Sequence, residues 1–228
     1  MSAEDQTYIQ ALALGLDPAW RRLSDDVRHD DGRRFVEASA AEVGQVRSIA
    51  YSSIGLEAGV DILLWRMAPT IEALETTAAA LLRSGLGRWL RVSHSFIGRI
   101  GPSQYVRKPT AQEQSVFSGE RSRYLVVYPF TKTTDWYLLA KEARQGVMNE
   151  HIRVGHDYPM VRQALAYSFG LDGQEFVVAY EMDDLVAFGD LVRALRSTES
   201  RRSTVTDTPI LLGINRPIDE IVSLLGAP

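Results

Sequence analysis

Two stretches of this chain echo one another, and the echo constrains the fold more than any single residue does. GLEAGVDILLWRM at 55–67 aligns with GLDGQEFVVAYEM at 170–182, and each is followed by a helical pattern ending in Leu-Arg-Ser, at 82–84 and 195–197. Self-similarity of this kind means that one supersecondary unit occurs twice. In each copy a Gly-containing turn leads into an apolar run too short for a helix, which reads as a buried strand.

The segments around each copy complete the unit. In the first half the pattern predicts strands at Tyr8–Leu16, Val46–Ile54, Asp61–Met67 and Arg88–Ile100. Asp17-Pro18 opens a helix at Ala19 with Trp20, Leu23 and Val27 on one face, and the run His29-Asp30-Asp31-Gly32 interrupts it before it resumes from Phe35 to Val43. Pro69 begins a second helix that reaches about Arg83. In the second half the strands are Tyr124–Phe130, Val161–Phe169, Glu175–Met182 and Ser203–Leu212. A helix is expected from about Leu138 to Val154, its apolar face at Leu139, Ala143, Val147 and Met148, stopped by Gly155 and Pro159. Asp183-Asp184 caps another with Leu185, Phe188, Leu191, Val192 and Leu195 inward. A short amphipathic helix closes the chain at Pro217–Leu225.

Both halves therefore read β-α-β-β-α-β. The expectation is an α+β protein of two ferredoxin-like (βαββαβ) halves, antiparallel in the main with helices on one face, forming a dimeric α/β-barrel-like protomer. The N-terminal half covers 1–100, the C-terminal half 124–228. Between them 101–123, with Pro102, Pro109, Gly119 and many polar residues, reads as a linker or crossover.

Composition narrows the function. Of 228 residues 45% are hydrophobic and 24% charged, and the net charge of −4 leaves no basic footprint for nucleic acid. The absence of cysteine removes disulfides, thiolate catalysis, iron–sulfur clusters and haem-thiolate ligation together. The polar start MSAEDQTYIQ is unlike a signal peptide, and no apolar run approaches the roughly 18 residues of a membrane span. A cytoplasmic location without membrane partners is expected.

The chemistry concentrates between Tyr124 and Phe169. Tyr128 ends an apolar strand before Pro129, His151 lies in the last turn of a helix, and Gln163 sits in the next strand. Each also has a plain structural reading: a core tyrosine bonded to backbone, a helix-terminal histidine favoured by the dipole, a surface strand residue. His151 and His156 are five apart and about 140° apart on a straight helix, a poor zinc pair. There is no GxSxG, Walker loop, GxGxxG or HExxH. Such a chain is either a binding module or an enzyme whose chemistry belongs to a bound cofactor.

The segments YPFTK, DWYLL, EHIRVGHDYPMVRQ and GLDGQEFVVAYEMDDLVAFGDLVRALRSTESRR resemble the chlorite dismutase family, and within it the coproheme decarboxylases. The resemblance implies haem in the C-terminal half and a homo-oligomer, a pentamer in most members. It implies His151, opening an H-x-x-x-G stretch, as the proximal iron ligand. Tyr128 and Lys132 match the tyrosine and lysine of the family's Tyr-Pro-Met-Ser-Lys motif, here Tyr128-Pro129-Phe130-Thr131-Lys132. The tyrosine is the radical-forming catalytic residue, and Lys132 and Trp136 join the cofactor contacts. Dismutases carry a distal arginine where many decarboxylases carry glutamine. The alignment puts Gln163 there, as catalytic and cofactor-contacting residue, and a slip of one would put Arg162 there on the opposite face. Glu199, or Ser200, stands where the family orients the proximal histidine.

The activity implied is peroxide-dependent decarboxylation of iron coproporphyrin III (coproheme) to haem b, with the porphyrin and hydrogen peroxide as partners. In it the oxidising equivalent passes to Tyr128, which takes hydrogen from a propionate, and loss of carbon dioxide leaves a vinyl group. The alternatives are a chlorite dismutase or haem peroxidase, and a haem-binding module without turnover.

Overall fold

The computed structural model describes residues 7–40, 46–105 and 120–228. Within them the strands are β1 (Tyr8–Leu16), β2 (Arg47–Glu57), β3 (Val60–Ala68), β4 (Leu90–Arg99), β5 (Tyr124–Lys132), β6 (Arg162–Tyr167), β7 (Phe176–Met182), β8 (Thr204–Thr206) and β9 (Leu211–Asn215). The helices are α1 (Asp25–Ala40), α2 (Ile71–Arg83), α3 (Thr134–Leu138), α4 (Lys141–His156), α5 (Leu185–Arg196) and α6 (Ile218–Leu225). Short 3-10 turns precede α1 and β4 and follow α5. The expected run of α1 to Val43 and the middle of the 101–123 connection lie outside the described residues.

Two compact units divide the chain: the residues up to Ile100 with Leu211–Pro228, and Gly101–Ile210. In the first, β1 pairs antiparallel with β3 and β4, and β2 with β3, giving the order β4-β1-β3-β2. In the second, β7 pairs antiparallel with β5 and β6, and β5 with β8, giving β8-β5-β7-β6. Both orders are 4-1-3-2 in the numbering of each half. The repeat seen in the letters is thus a repeat of ferredoxin-like topology, and β3 and β7, which carry the echo, are the third strand of each copy. The fold class is α+β.

In the first unit Leu12 and Leu14 on β1 stand opposite Leu64 and Ile62 on β3. With Trp20, Phe35, Leu81 and Leu86 they form a buried cluster. Ile221, Val222 and Leu225 of α6 complete it, each worth roughly 1.5–3 kcal/mol of transfer free energy. The segment from Leu211 therefore belongs with the first unit, whereas the sequence assigns it to the second half. Its strand β9 pairs with β2 through Tyr51–Asn215 and Ser52–Ile214. The single strand expected at Ser203–Leu212 is accordingly two: β8 on β5, and β9 on β2, with Pro209 and its missing backbone donor between them.

Two helices also differ from expectation. Trp20 lies in a 3-10 turn, Pro18–Arg22, and α1 runs unbroken from Asp25 through His29-Asp30-Asp31-Gly32. Asp31 can be helical and buried because three donors converge on it: Trp20 Nε1 and Trp89 Nε1, both at 3.2 Å, and Arg88 at 3.1 Å. The helix expected at 138–154 is two pieces. Leu139 and Ala140 are extended (ψ 145° and 150°) and separate α3 from α4, which continues through Gly155 to His156. Leu139 lies outside α4 and Ala143 is exposed, so of the apolar face forecast there only Val147 and Met148 turn inward, both half-buried.

Candidate functional site

Register fixes which side chains of the second sheet share a face. Tyr128 on β5 stands opposite Val178 on β7, and Val178 opposite Leu165 on β6. The neighbouring rows are Val126–Tyr180–Gln163 and Phe130–Phe176–Tyr167. Side chains alternate along a strand, so the intervening rows Val127–Ala179–Ala164 and Leu125–Glu181–Arg162 point the other way. That other face is sealed: Leu125, Val127, Ala179 and Glu181 are all at 0% exposure. Arg162 belongs to it, reaching Glu181 at 3.0 Å, Ser122 at 2.7 Å and the carbonyl of Glu120 at 2.9 Å. Gln163, half-buried, lies on the Tyr128 face.

The Tyr128 face is an aromatic and aliphatic wall left partly open. Tyr128 stacks near Tyr180 (centroids 6.0 Å), Tyr180 meets Phe188 of α5 (5.3 Å), and Phe130, Tyr167 and Phe169 surround Phe176. Leu165 keeps 42% exposure and Phe169 48%. Helix α4 is correspondingly unsealed, with only Gly155 fully buried among its sixteen residues. A sheet face and a helix this loosely covered are unusual for packed protein, and both belong to the half that carries the candidate residues.

His151, on α4, is half-buried. Its Nδ1 lies 3.5 Å from Thr198 Oγ1. The Thr198 hydroxyl proton is committed to the carbonyl of Leu195 at 2.7 Å, so only its lone pairs face the ring. The imidazole proton therefore belongs on Nδ1, and the Nε2 lone pair is the one available to a metal. Burial, then the nearby Lys132 ammonium, push the His151 pKa down to about 4, with Glu150 pulling the other way. The ring is neutral at pH 7. Among the described residues no cluster of three His, Asp or Glu could hold a metal by protein ligands alone.

Lys132, at 7% exposure, donates through Nζ to Ser200 Oγ (2.9 Å) and the Ser200 carbonyl (3.1 Å) and lies 4.4 Å above the buried Trp136 ring. Burial lowers its pKa to about 8, partly opposed by Glu175. Glu175 accepts from the Lys132 backbone N–H at 2.8 Å and from the Tyr137 hydroxyl. Thr133 caps α3 by accepting from the Trp136 N–H and so fixes Trp136 under the ammonium.

Of the expected residues, the structure gathers His151, Lys132 and Trp136 around the 3-10 turn Glu199–Ser203, and sets Tyr128 and Gln163 on the open sheet face. Glu199 directs its carboxylate to Arg202 at 3.2 Å, 57% exposed, and its N–H to Glu150 at 3.0 Å. The groups facing His151 and Lys132 are instead Thr198 and Ser200, the two neighbours of Glu199. Burial, followed by the phenol of Tyr180 and the charge of Asp207, holds the Tyr128 pKa well above its ordinary value, so it is a neutral phenol. The sequence pattern does not single out Thr198, Tyr180 or Asp207. Each matters through a partner distant in sequence, and no local pattern marks them.

The match to the chlorite dismutase family pattern covers residues 27–216, and the chain belongs to that family. It is 29% identical over 198 residues, 86% of this chain and 84% of the relative, to the coproheme decarboxylase of Mycolicibacterium smegmatis. A mutant chlorite dismutase from Candidatus Nitrospira defluvii superposes with a TM-score of 0.88 at 27% identity, covering 96% of this chain and 95% of that one. The same organism's enzyme in complex with imidazole gives a TM-score of 0.84 at 27% identity over 96% and 94% of the two chains.

Proposed function

We propose that this chain is a haem-family enzyme that decarboxylates iron coproporphyrin III to haem b with hydrogen peroxide. The observation that carries the reading is the composition of the open sheet face. It offers a phenol, Tyr128, and an amide, Gln163, while the adjacent guanidinium, Arg162, is turned away and held by Glu181. A dismutase-type distal arginine on β6 is therefore not what this face presents. The coproheme decarboxylase relative supports the same choice.

The residues fit an iron porphyrin. A neutral imidazole with its proton on Nδ1 is the form that ligates iron. The unsealed wall of Leu165, Val178, Phe130 and Phe176 suits a flat apolar macrocycle. Iron porphyrin held there supplies peroxide-driven oxidation, and each propionate converted consumes one peroxide and gives a vinyl group, carbon dioxide and two waters. His151 binds. Thr198 orients His151, and burial, with Lys132 beside it, keeps it neutral. Tyr128 gives up its phenolic hydrogen and recovers one from the propionate β-carbon. Gln163, which carries no charge, hydrogen-bonds on the distal side without fixing an anion there.

The test is to load the protein with iron coproporphyrin III, titrate peroxide and follow porphyrin mass. Stepwise loss at two propionates is expected. An unchanged mass would make the protein a binder, and rapid chlorite-dependent oxygen release would make it a dismutase.

A further inference from the structure

Tyr180 occupies the row next to Tyr128: Tyr128 stands opposite Val178, and Val126 opposite Tyr180. The two tyrosines are therefore diagonal neighbours on one face of an antiparallel pair, within reach of each other's side chains. Their rings stack with centroids 6.0 Å apart and planes 25° apart, and their hydroxyls share a hydrogen bond. Tyr180 is 5% exposed. A buried phenol needs a partner for its O–H, and here the partner is the phenol that transfers hydrogen.

The surroundings of this pair decide where an oxidising equivalent on Tyr128 can go. Among the described residues Tyr180 is the one ring stacked against Tyr128, and beyond it stands Phe188, with centroids 5.3 Å apart. Phenylalanine has no O–H to give up, so the route closes there. Trp136, the oxidisable ring on the Lys132 side, lies 4.4 Å from an ammonium. Taking an electron from that indole would set two positive charges side by side in a buried place, which electrostatics opposes. Tyr180 loses its proton together with its electron, so its oxidation builds up no charge.

We infer that Tyr180 is a holding site for the radical formed on Tyr128: a hydrogen atom crosses the hydrogen bond between the two phenols, and the oxidising equivalent rests on the buried one until a propionate β-carbon is within reach. The inference rests on the porphyrin reading above and adds a residue to it. In the step the Tyr180 O–H breaks and a Tyr128 O–H forms, with proton and electron moving together. The reverse step restores the Tyr128 radical, and peroxide remains the oxidant consumed. Tyr180 itself touches no substrate. It keeps the equivalent from being lost to the porphyrin ring or the surrounding protein while Tyr128 has no hydrogen to take.

Electron paramagnetic resonance tests this with a readout other than turnover. Protein loaded with iron coproporphyrin III is mixed with a stoichiometric amount of peroxide and frozen during the reaction. The line shape of a tyrosyl radical depends on the angle between its ring and its β-hydrogens, so two tyrosines held in different rotamers give two components. Both are expected in the unmodified protein. Tyr180→Phe should keep the iron porphyrin affinity and the circular dichroism, lose one component, and bleach more porphyrin per peroxide. Tyr128→Phe should lose both components, because Tyr180 is filled through Tyr128. A purely structural role for Tyr180 predicts one component that Tyr180→Phe leaves unchanged, and that result overturns the proposal. So does a Tyr180 component that survives in Tyr128→Phe. Ring-deuterated tyrosine in the unmodified protein leaves the β-hydrogen splittings alone, and a single set of these overturns the proposal whether or not the variants fold. If the unmodified protein binds no iron porphyrin, or gives no tyrosyl signal with peroxide, the porphyrin reading itself falls, and this inference with it. If the signal depends on Tyr128 but has one component, that reading stands and the holding site alone is lost.

Discussion

His151 Nδ1 faces Thr198 Oγ1 at 3.5 Å, and the Thr198 hydroxyl spends its proton on the Leu195 carbonyl at 2.7 Å. One residue beyond the C-cap of α5 thereby selects the tautomer of a histidine on α4. Thr198→Val keeps the shape and removes the acceptor. The contact is long, so its loss is worth about 1 kcal/mol, or roughly a fivefold fall in affinity for iron porphyrin. Metal-free porphyrin should be unaffected. Spectral titration with both ligands checks this, and equal losses for the two would mean that Thr198 acts through packing.

Lys132 adds to burial in disfavouring the charged form of the same imidazole. Its ammonium is the second cause, after burial, of the low His151 pKa. Lys132→Met should raise that pKa from about 4 towards, but not to, the ordinary 6.5, because the desolvation remains. An NMR titration of the ring protons reads this directly, and a pKa that stays put or falls would contradict the assignment.

The His151 shift also predicts how stability depends on pH. The folded value, about 4, lies below the ordinary 6.5. Between those two values the unfolded chain takes up a proton that the folded chain refuses. Stability from this group is complete above 6.5 and is lost as the pH falls towards 4, by at most about 3 kcal/mol. Urea unfolding of His151→Ala should therefore show a flatter pH dependence than the unmodified protein between pH 4 and 6.5. Parallel curves would show that the imidazole is less buried than the geometry indicates.

What the sequence made legible follows physical range. The repeat, the β-α-β-β-α-β order of each half and the elements bearing Tyr128, His151 and Gln163 come from local patterns of period two and 3.6, and these survive in the structure. Alternation also separated Gln163 from Arg162, because a strand has only two faces. What was hidden is tertiary. Helix α1 passes through His29-Asp30-Asp31-Gly32 because Trp89 and Arg88, nearly sixty residues later, satisfy Asp31. The tail from Leu211 joins the first unit because Ile221 and Leu225 fill a core whose other members end by Leu90. Thr198 and Asp207 look like ordinary residues of a polar run until their partners arrive from α4 and α5.

Gln163 gives a test of the open sheet face. It lies in the row of Tyr180 and Val126, one residue from an arginine that faces away. Gln163→Arg places a permanent cation on the open face, and with iron porphyrin loaded it should raise chlorite-dependent oxygen release above the unmodified protein while lowering decarboxylation. An oxygen electrode and porphyrin mass measure the two. Unchanged values for both would place the side chain at 163 away from the reacting centre.

Tyr128 decides between an enzyme and a binder. Pro129 follows it, contributes no backbone donor and holds Tyr128 extended in the middle of β5, where pairing with β7 fixes the direction of the ring. The ring stacks near Tyr180 and the phenol is held neutral by burial. If Tyr128 only packs, phenylalanine preserves nearly everything and costs about 1 kcal/mol for a lost hydrogen bond. If it relays a hydrogen atom, the O–H itself is required, and phenylalanine has nothing to give. Tyr128→Phe should therefore bind iron coproporphyrin III within about twofold of the unmodified affinity, keep the His151-ligated spectrum, and yield no vinyl product with peroxide. Porphyrin affinity by titration and porphyrin mass after peroxide separate the two readings. Haem b formed at the normal rate by this variant would remove Tyr128 from the chemistry, and with it the strongest reason to read decarboxylation in this face.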